Sequence, residues 1–510
     1  MTSMAPDGVS FAVPSPEAID AQFAEIERRA AGRKVVVVQG LGFVGSAVAA
    51  VIAAARTPAG EPTYFVIGVD LATPGSYWKI ARVNEGHAPI ASPDAEFDRL
   101  IAEGVQESRN LCATSAERAY ELADVVVVDV QLDVVDRAVE SAADIQLRLS
   151  GLEAAIRVIG RRMRPDALVL VETTVPFGAC ERLILPVLRE ERERRGVTEL
   201  LLLAHAYERV MPGPRYISSI RKFWRTYAGI DGPSAQAARA FLDSFIDTES
   251  FPLRELGDPT ASEMAKILEN SYRAANIAFI HEWTLLAERT GVNLWEVVDS
   301  IRVRQGTHDN MRYPGFGVGG YCLTKDSLLA QWSATHLFKM DHLLDVTLQA
   351  LGINHRMPLH ARDLLRELAG QPLKGLRVLV CGVSYLPDVA DTRNSPTEIF
   401  VDALLEEGAA VTVHDSSLQF WPERPQVPFA ADLAQAMSEA DAVVFAVPHG
   451  EYRRLTPADF SRAVMVIDAN NVIDDAKAGA LHAAGSRLLG VGKGHWRKRG
   501  YDQLSACPKS

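Results

Sequence analysis

The chain has 510 residues, 48% of them hydrophobic and 23% charged, and its formal net charge is -12. A single hydrophobic core does not organise a chain of this length, so we expect two or three domains. The acidic balance argues against a nucleic-acid partner, because no basic face is left to neutralise phosphates, although a few basic side chains and backbone amides can still hold a diphosphate.

The cysteines are odd in number and scattered, and they form no C-x-x-C pair: Cys112, Cys180, Cys322, Cys381 and Cys507. This pattern predicts neither a disulfide framework nor a metal site, and it favours a reducing cytoplasm. We expect no signal peptide, because the N-terminus lacks a basic stretch followed by an apolar run. The apolar runs have the length of strands, so the sequence also predicts no membrane partner.

The first predicted element is a helix within an N-terminal extension, residues 1–32. Ser15 suits a helix cap, Pro16 suits the first turn, and Gly32 suits the stop. We expect this helix to pack on the first domain, and we assign it no chemistry.

From Lys34 onward, apolar strands alternate with amphipathic helices until a Pro-rich turn at Val210–Pro214. Continuous runs of β-branched residues between helices indicate a parallel sheet that is covered on both faces. The predicted strands are residues 35–39, 63–70, 124–130, 167–173 and 200–204.

Helical periodicity dominates residues 259–368, beginning with one long helix that ends at Gly291. This helix carries small residues that would allow another helix to approach closely: Ser271, Ala274, Ala275 and Ala278. A helix this long in mid-chain connects domains or forms a dimer interface. At Lys374 the strand-helix alternation resumes, with predicted strands at 376–385, 410–415, 441–448 and 464–470. The predicted fold class is therefore α/β, with a helical spine between two α/β domains.

A glycine-rich motif follows the first predicted strand and opens a helix: Gly40, Leu41, Gly42, Phe43, Val44 and Gly45. Its glycines permit the tight turn, the approach of a pyrophosphate and close packing of helix on strand. Asp70, at the end of the next strand, would accept hydrogen bonds from the adenosine ribose and disfavour the extra phosphate of NADP. The motif predicts an NAD site; the alternative is a glycine turn that binds nothing.

Residues Tyr313–Ser327 place four glycines shortly before a single cysteine, Cys322. Cys322 and Asp326 are four residues apart and would share a helix face, as would Lys266 and Asn270. A cysteine near a helix N-terminus would have its thiolate favoured by the helix dipole. From spacing alone, a catalytic group and a buried structural cysteine with a solvated lysine remain equally open.

Taken together, the motifs resemble the UDP-glucose/GDP-mannose dehydrogenase family. The similarity runs in order through QGLGFVG, VETTVPFGA, ERVMPG, KILENSYRAANIAF, PGFGVGGYCLTKD and SYLPDVADTRNSP. The ERVMPG and LENSYRAANIAF segments look most like the branch acting on UDP-N-acetylhexosamines, whereas the Lys325-Asp326 pair looks more like the UDP-glucose branch. The resemblance implies four regions: an extension (1–32), a Rossmann-like NAD-binding domain (33–255), a helical dimerisation and catalytic domain (256–370) and a Rossmann-like UDP-binding domain (371–510).

The resemblance also implies an enzyme of polysaccharide or glycoside biosynthesis, a homodimer, that oxidises the primary alcohol of a nucleotide sugar twice with NAD and no metal. Cys322 would form a thiohemiacetal and then a thioester. Lys266 and Asn270 would stabilise the oxyanion, Asp326 would position water, and Glu172 could assist. The implied cofactor residues are those of the glycine motif, Asp70 and Thr174. The implied substrate residues are Glu208, Arg209, Arg273, Asn276, Gly319 and Arg393. A further arginine from the neighbouring subunit is also implied, with Arg302, Arg304 and Arg312 as candidates.

The sequence departs from the family pattern at several positions: Asp129-Val130-Gln131 in place of a Pro-Thr-Pro type turn, Tyr207, His281, Tyr321 and Leu386. A carboxylate at Asp129 would repel the phosphates of NAD, so we expect it to point away or to be paired. Two alternatives to the four-electron enzyme follow from these departures. One is a two-electron oxidation of an unusual nucleotide sugar, and the other is a non-catalytic protein that binds a nucleotide sugar or NAD.

Overall fold

The computed structural model describes residues 1–137, 144–210, 213–340, 343–460 and 464–504. Cys507 and two residues of the expected turn at Val210–Pro214, Met211 and Pro212, therefore lie outside the described residues. The described chain forms two compact units. The first comprises described residues within 1–136, 141–268 and 328–341, and the second those within 137–140, 269–327 and 342–510. The division of the sequence into four regions stays a prediction.

The first unit contains a sheet of eight strands among its described residues. In sheet order they are β10 (Arg254–Glu255), β9 (Thr226–Gly229), β8 (Leu202–His205), β7 (Leu168–Val171), β6 (Val125–Val128), β3 (Val35–Gln39), β4 (Phe65–Val69) and β5 (Leu111–Thr114). Neighbouring strands are parallel, as the β-branched runs predict, except that β9 runs antiparallel to β8. The five strands that the sequence predicts in this sheet are all parallel to one another, whereas β9 was not predicted, because Thr226–Gly229 is too short and too mixed in composition to be recognised in the sequence.

The helices of the first unit lie between these strands: α1 (Pro16–Ala30), α2 (Phe43–Ala53), α3 (Tyr77–Asn84), α4 (Ala95–Ala102), α5 (Ser150–Arg162), α6 (Leu185–Arg194), α7 (Tyr216–Arg221) and α8 (Gly232–Asp243). The predicted N-terminal helix is confirmed, because the Ser15 hydroxyl accepts a hydrogen bond from the Ala18 amide and Pro16 opens the helix. Before α1, two short antiparallel strands that the sequence did not reveal, β1 (Thr2–Met4) and β2 (Ser10–Ala12), pair with each other.

The long predicted helix is α9 (Pro259–Thr290), and it ends at Gly291, whose φ of +71° favours glycine. Three of the small residues, Ser271, Ala274 and Ala278, are buried inside the second unit, where a second helix, residues 345–369, approaches this side of α9. The Asn354 amide donates to the main-chain oxygen of Ala274 at 2.9 Å. The exposed side of the helix within this unit carries large apolar residues instead, namely Tyr272, Phe279, Trp283 and Leu286.

The second unit continues with α10 (Leu294–Arg302), and α11 (Asp326–His336) starts at its boundary. After α12 (Asp345–Ala369), five parallel strands form a sheet in the order β12 (Ala410–His414), β11 (Arg377–Cys381), β13 (Ala442–Phe445), β14 (Met465–Asp468) and β15 (Arg487–Gly490). Its helices are α13 (Pro396–Glu406), α14 (Leu433–Glu439), α15 (Gly450–Arg453), α16 (Asp475–Ala483) and α17 (Gly494–Lys498). Across the described ranges, no helix combines the length and apolarity needed to cross a bilayer.

Candidate active site

The glycine-rich turn joins β3 to α2 at the carboxyl edge of the first sheet. Gly40 has a φ of +99°, and a Cβ on Gly45 would lie 2.0 Å from the main-chain oxygen of Gly40. Both positions therefore require glycine. Gly42 caps α2, and a Cβ on it would meet no atom within 4 Å, so the turn borders open space at a helix N-terminus. This cradle fits a pyrophosphate.

Asp70 stands directly after β4, beside this turn. Its Oδ2 accepts from the Leu41 amide at 3.0 Å and from the Lys79 ammonium at 2.9 Å, and its Oδ1 accepts from the Leu71 amide at 2.7 Å. A buried carboxylate next to the glycine turn fits recognition of an adenosine ribose. The residues present therefore fit NAD. Phe43 and Val44 lie in the first turn of α2, and Thr174 lies partly exposed after β7.

Asp129 follows β6 and turns into the first unit. Its carboxyl oxygens are buried next to the Glu172 carboxyl, with which Asp129 shares a hydrogen bond. Burial and the neighbouring Glu172 and Glu208 raise the pKa of Asp129 well above its usual range. Glu172 is itself buried, with the Arg225 guanidinium donating to its Oε1. The raised pKa of Asp129 favours its uncharged form, and an uncharged carboxyl would not repel the phosphates of NAD.

We predict that Asp129→Asn stabilises the protein at alkaline pH. Because the folded-state pKa of Asp129 is raised, the folded chain keeps a proton that the unfolded chain has lost, and stability falls as pH rises through that window. An Asn needs no proton. We expect Tm to exceed that of the wild type by about 2 °C or more near pH 8, and by less near pH 5.

The matched control is Asp166→Asn, because the Arg164 side chain lowers the pKa of that exposed carboxyl. Its effect on Tm should be small and of opposite sign. If thermal unfolding gives the same difference in Tm between Asp129→Asn and the wild type near pH 5 and near pH 8, the claim that folded Asp129 retains a proton is contradicted.

Lys266 lies on α9 in the first unit and is almost fully buried. Its ammonium donates to the main-chain oxygen of Glu208 at 2.7 Å, lies 3.5 Å from that residue's Oε1, and lies 5.5 Å from the centre of the Tyr207 ring. Arg209 folds over the same ring at 5.0 Å. Sequence reasoning took Glu208 and Arg209 for substrate residues; the structure places Glu208 as the residue that holds the ammonium of Lys266.

Asn270 and Asp326 meet inside the second unit. The Asn270 amide donates to Asp326 Oδ2 at 2.7 Å, and the Lys325 ammonium lies 2.9 Å from Asp326 Oδ1. Both Lys325 and Asp326 are about 1% exposed. The carboxylate is thereby fixed from two sides, which suits a group that orients another molecule.

Cys322 lies just before α11 and not within it, so the expectation that it shares a helix face with Asp326 was wrong. Its main-chain oxygen accepts from the Asp326 amide at 3.0 Å, so it caps the helix, while Asp326 turns inward and Cys322 is exposed. The other described cysteines are buried, and burial raises the pKa of Cys112 to about 12 and also raises those of Cys180 and Cys381. Among the described thiols, Cys322 alone is open to a reactant.

A turn after β11 lies against the cysteine within the second unit. Arg393 donates to both oxygens of Asp391, at 2.9 and 2.6 Å, and its guanidinium interacts electrostatically with the Cys322 thiol. Arg393 therefore holds the turn by pairing with Asp391, a structural role beside the substrate role that the resemblance implies. A Cβ on Gly319 would come within 2.7 Å of Tyr385 and Pro396, so the close approach of the turn requires glycine at this position.

Two further residues predicted to bind substrate lie on α9. The Asn276 amide donates to the main-chain oxygen of Tyr272 at 2.8 Å. Burial, together with the like charges of Arg273 and Arg302, lowers the pKa of Arg312. Arg304 is exposed, and it is not among the charges that lower the pKa of Arg312.

Three further departures from the family pattern lie in the second unit, and one of them, Tyr321, has its ring centre 4.7 Å from the ammonium of Lys325. His281 is buried with its ring centre 5.8 Å from that of His360, and burial lowers the pKa of His281 to about 4. Leu386 is about one-third exposed on the turn. The described residues contain no cluster of three or more side chains that could hold a metal ion.

Sequence reasoning missed the neighbours that position these groups: Lys79 on Asp70, Arg225 on Glu172, and Tyr385 against Gly320, two residues before Cys322. Arg225 is 53 residues from Glu172 in the sequence and belongs to no motif. Lys325 is the exception, because its place beside Asp326 is visible in the sequence.

Three family models match the chain, all of the UDP-glucose/GDP-mannose dehydrogenase family: its NAD binding domain at residues 34–235, its central domain at 260–355 and its UDP binding domain at 379–475. The chain is 30% identical to a UDP-N-acetyl-D-mannosamine dehydrogenase of Pyrococcus horikoshii, with 90% of this chain and 99% of that protein covered. It is 27% identical to an NDP-N-acetyl-D-galactosaminuronic acid dehydrogenase of Ralstonia nicotianae, with 86% and 96% covered. A crystal structure of an NDP-N-acetyl-D-galactosaminuronic acid dehydrogenase from Methanosarcina mazei Go1 matches with a TM-score of 0.76 at 27% identity, covering 93% of this chain and 98% of that one.

Proposed function

Because the chain belongs to the UDP-glucose/GDP-mannose dehydrogenase family and is an NAD-dependent nucleotide-sugar dehydrogenase, we propose that it oxidises the primary alcohol of a UDP-N-acetylhexosamine to the uronic acid. The oxidation removes four electrons in two steps. The observation that carries this proposal is Cys322, which lies just before α11 and is the one exposed thiol among the described cysteines. An enzyme that released an aldehyde would need no such nucleophile.

The proposed chemistry places the carbon under oxidation on the sulfur of Cys322. NAD, when bound, accepts one hydride in each oxidation. The thiolate adds to the aldehyde of the first oxidation to form a thiohemiacetal, and loss of a second hydride leaves a thioester. Water then attacks the thioester carbon and the carbon–sulfur bond breaks. Alcohol, water and two NAD are thereby converted to carboxylate, two NADH and three protons, and the thiolate is regenerated.

The charged and polar groups have separate proposed tasks. Lys266, held by the main-chain oxygen of Glu208, stabilises the oxyanions at the reacting carbon by charge, and Asn270 does so by hydrogen bonding. Asp326, fixed by Asn270 and Lys325, positions the water that takes up the alcohol proton or attacks the thioester. Glu172, paired with Arg225, assists through its charge and not as the principal base.

The nature of the sugar is inferred from the relatives, whose names specify N-acetylated hexosamines. Lys325-Asp326 had suggested the UDP-glucose branch, so UDP-glucose is the competing substrate. The decisive experiment is the initial rate of NADH formation with a panel of nucleotide sugars: UDP-N-acetylmannosamine, UDP-N-acetylgalactosamine, UDP-N-acetylglucosamine, UDP-glucose and GDP-mannose. The highest kcat/KM with an N-acetylated sugar supports the proposal, and preference for UDP-glucose overturns the sugar assignment. No NADH from any of them would favour a non-catalytic binder.

We predict that Arg393→Ala raises the KM for the nucleotide sugar about tenfold or more, because a guanidinium oriented by its bidentate pair with Asp391 offers charge-assisted hydrogen bonds to a diphosphate. The matched control is Arg377→Ala, which removes another bidentate pair of the second unit, with Asp441. Steady-state kinetics should show a raised KM for the Arg393 variant only. A lowered Tm with unchanged KM would assign Arg393 to holding its turn.

We predict a homodimer, or a multiple of it, formed through α9. Tyr272, Phe279, Trp283 and Leu286 are each about half exposed, and three of them are seven residues apart, the spacing at which helices pair. Light scattering at micromolar concentration should give at least twice the chain mass of 55.6 kDa. Trp283→Glu should weaken the assembly, whereas Trp224→Glu, which alters an exposed tryptophan elsewhere, should not. A monomer mass for the wild type would contradict the prediction.

A further inference from the structure

The strands β1 and β2 of the N-terminal extension attach to the start of α3. The hydroxyl of Ser3 is fully buried, accepts from the Trp78 amide at 3.0 Å and donates to the main-chain oxygen of Pro74 at 2.8 Å. Trp78 is the second residue of α3, and the helix's own cap residue, Ser76, makes no side-chain cap bond. Ser3 therefore supplies the N-cap of a helix that lies more than seventy residues away in the sequence.

A second attachment lies one turn further along α3. The Arg82 guanidinium pairs with Asp7, in the loop between β1 and β2, and lies 5.5 Å from the ring centre of Phe11 on β2. Trp78 and Arg82 are four residues apart and lie on one face of α3, in successive turns. The contacts of the strand pair with both residues therefore fix the position of the helix and its rotation about its axis.

Between these two attachments, α3 carries Lys79. Its ammonium lies 2.9 Å from Asp70 Oδ2, the same oxygen that accepts from the Leu41 amide of the glycine-rich turn at 3.0 Å. Hydrogen bonds thus connect Ser3, through the first turn of α3 and Lys79, to Asp70 and the turn that fits a pyrophosphate.

Lys79 changes the electrostatics of the position that faces the adenosine ribose. An unpaired Asp70 would place a negative charge beside the diphosphate of NAD, whereas the ion pair is neutral. The effect of the ammonium is larger for NADP, since a 2′-phosphate brings further negative charge to the same place.

We propose that the strand pair Thr2–Ala12 is a positioning element of the dinucleotide site, which holds Lys79 against Asp70 through Ser3 and so sets the affinity for the adenosine end of the cofactor. The proposal rests on the proposed function only in taking NAD as the ligand. Residues 1–33 lie outside the segment that the NAD binding domain model matches, so this device is additional to the domain itself.

The test is calorimetric titration of NAD, NADP and UDP into the wild type, Ser3→Ala and Lys79→Met. Both variants should bind NAD about fivefold more weakly and NADP more weakly still, with UDP affinity changed less than about twofold. In the double variant the two losses should not add, because Ser3 acts through Lys79. The control is Glu27→Gln, which breaks the ion pair of α1 with Arg118 and leaves α3 untouched.

The outcomes separate this inference from the function itself. A lowered Tm for Ser3→Ala with unchanged NAD affinity would show that the extension stabilises α3 without influencing the cofactor site, and it would overturn the proposal. Equal losses for NAD and UDP would also overturn it, because they indicate general loosening. A wild type that binds no NAD would instead refute the proposed function.

Discussion

Cys322→Ser is expected to abolish formation of the acid while leaving NAD and nucleotide sugar bound with near-normal affinity. Serine is nearly isosteric with cysteine, and the side chain at this position is exposed, so the fold has no reason to change. The hydroxyl is far less ionised than a thiol near neutral pH and is a much poorer nucleophile toward the aldehyde. Overall turnover should fall by about three or more powers of ten.

The product distribution should change along with the rate. Without capture on sulfur, the first oxidation yields an aldehyde that is released or accumulates as an early adduct, which mass spectrometry of the reaction mixture distinguishes from the acid. Cys112→Ser is the control, because that thiol is buried in β5 and its pKa is raised to about 12. Cys322→Ser protein that still makes the acid at a near-normal rate would show that the aldehyde hydrate, and not a thioester, is the species oxidised second.

Lys266→Ala is expected to slow both oxidations, by about 30-fold to 1,000-fold. This range corresponds to the loss of roughly 2–4 kcal/mol when one oxyanion donor is removed. The ammonium is positioned by the main-chain oxygen of Glu208 at 2.7 Å and is almost fully buried, so water cannot replace its charge at low cost. Single-turnover rates of NADH formation, measured for the alcohol and for the aldehyde, would separate the two steps.

The control for this variant is Lys222→Ala, which removes an exposed lysine of the same unit. If Lys266→Ala lowers the rate with the alcohol only, its role is confined to the first proton transfer. If it lowers Tm strongly and leaves both rates within about twofold, the ammonium is a structural partner of Glu208 and the oxyanion assignment fails.

The sheet strands with long β-branched runs could be predicted from sequence. Such runs, of strand length and between helices, favour a buried strand over a helix. Val35–Gln39 agrees at both ends with its prediction, and the ends of the other predicted strands shift by a few residues. The strands that were missed, β1, β2, β5, β9, β10 and β15, are short and owe their pairing to neighbours that a local pattern does not contain.

The sequence predicted the residue types of the candidate site and the order of its motifs, but it did not predict how the side chains are arranged. Spacing placed Cys322 and Asp326 on one helix face, whereas the carbonyl of Cys322 caps α11 and the two side chains separate, one exposed and one buried. The small residues of α9 were predicted to admit another helix, but the sequence did not identify that helix as α12, whose Asn354 donates to the main-chain oxygen of Ala274. Partners such as Lys79 and Arg225 lie in segments with no motif, so only the folded chain brings them to Asp70 and Glu172.

The central claim, a four-electron oxidation through Cys322, is tested most directly by the amount of NADH formed per nucleotide sugar consumed. The measurement uses the purified full chain, excess NAD and the best substrate of the panel, with the product identified by mass. The account predicts two NADH for each sugar and a product that carries a carboxylate in place of the primary alcohol. One NADH for each sugar, with an aldehyde or keto sugar as the product, would contradict it.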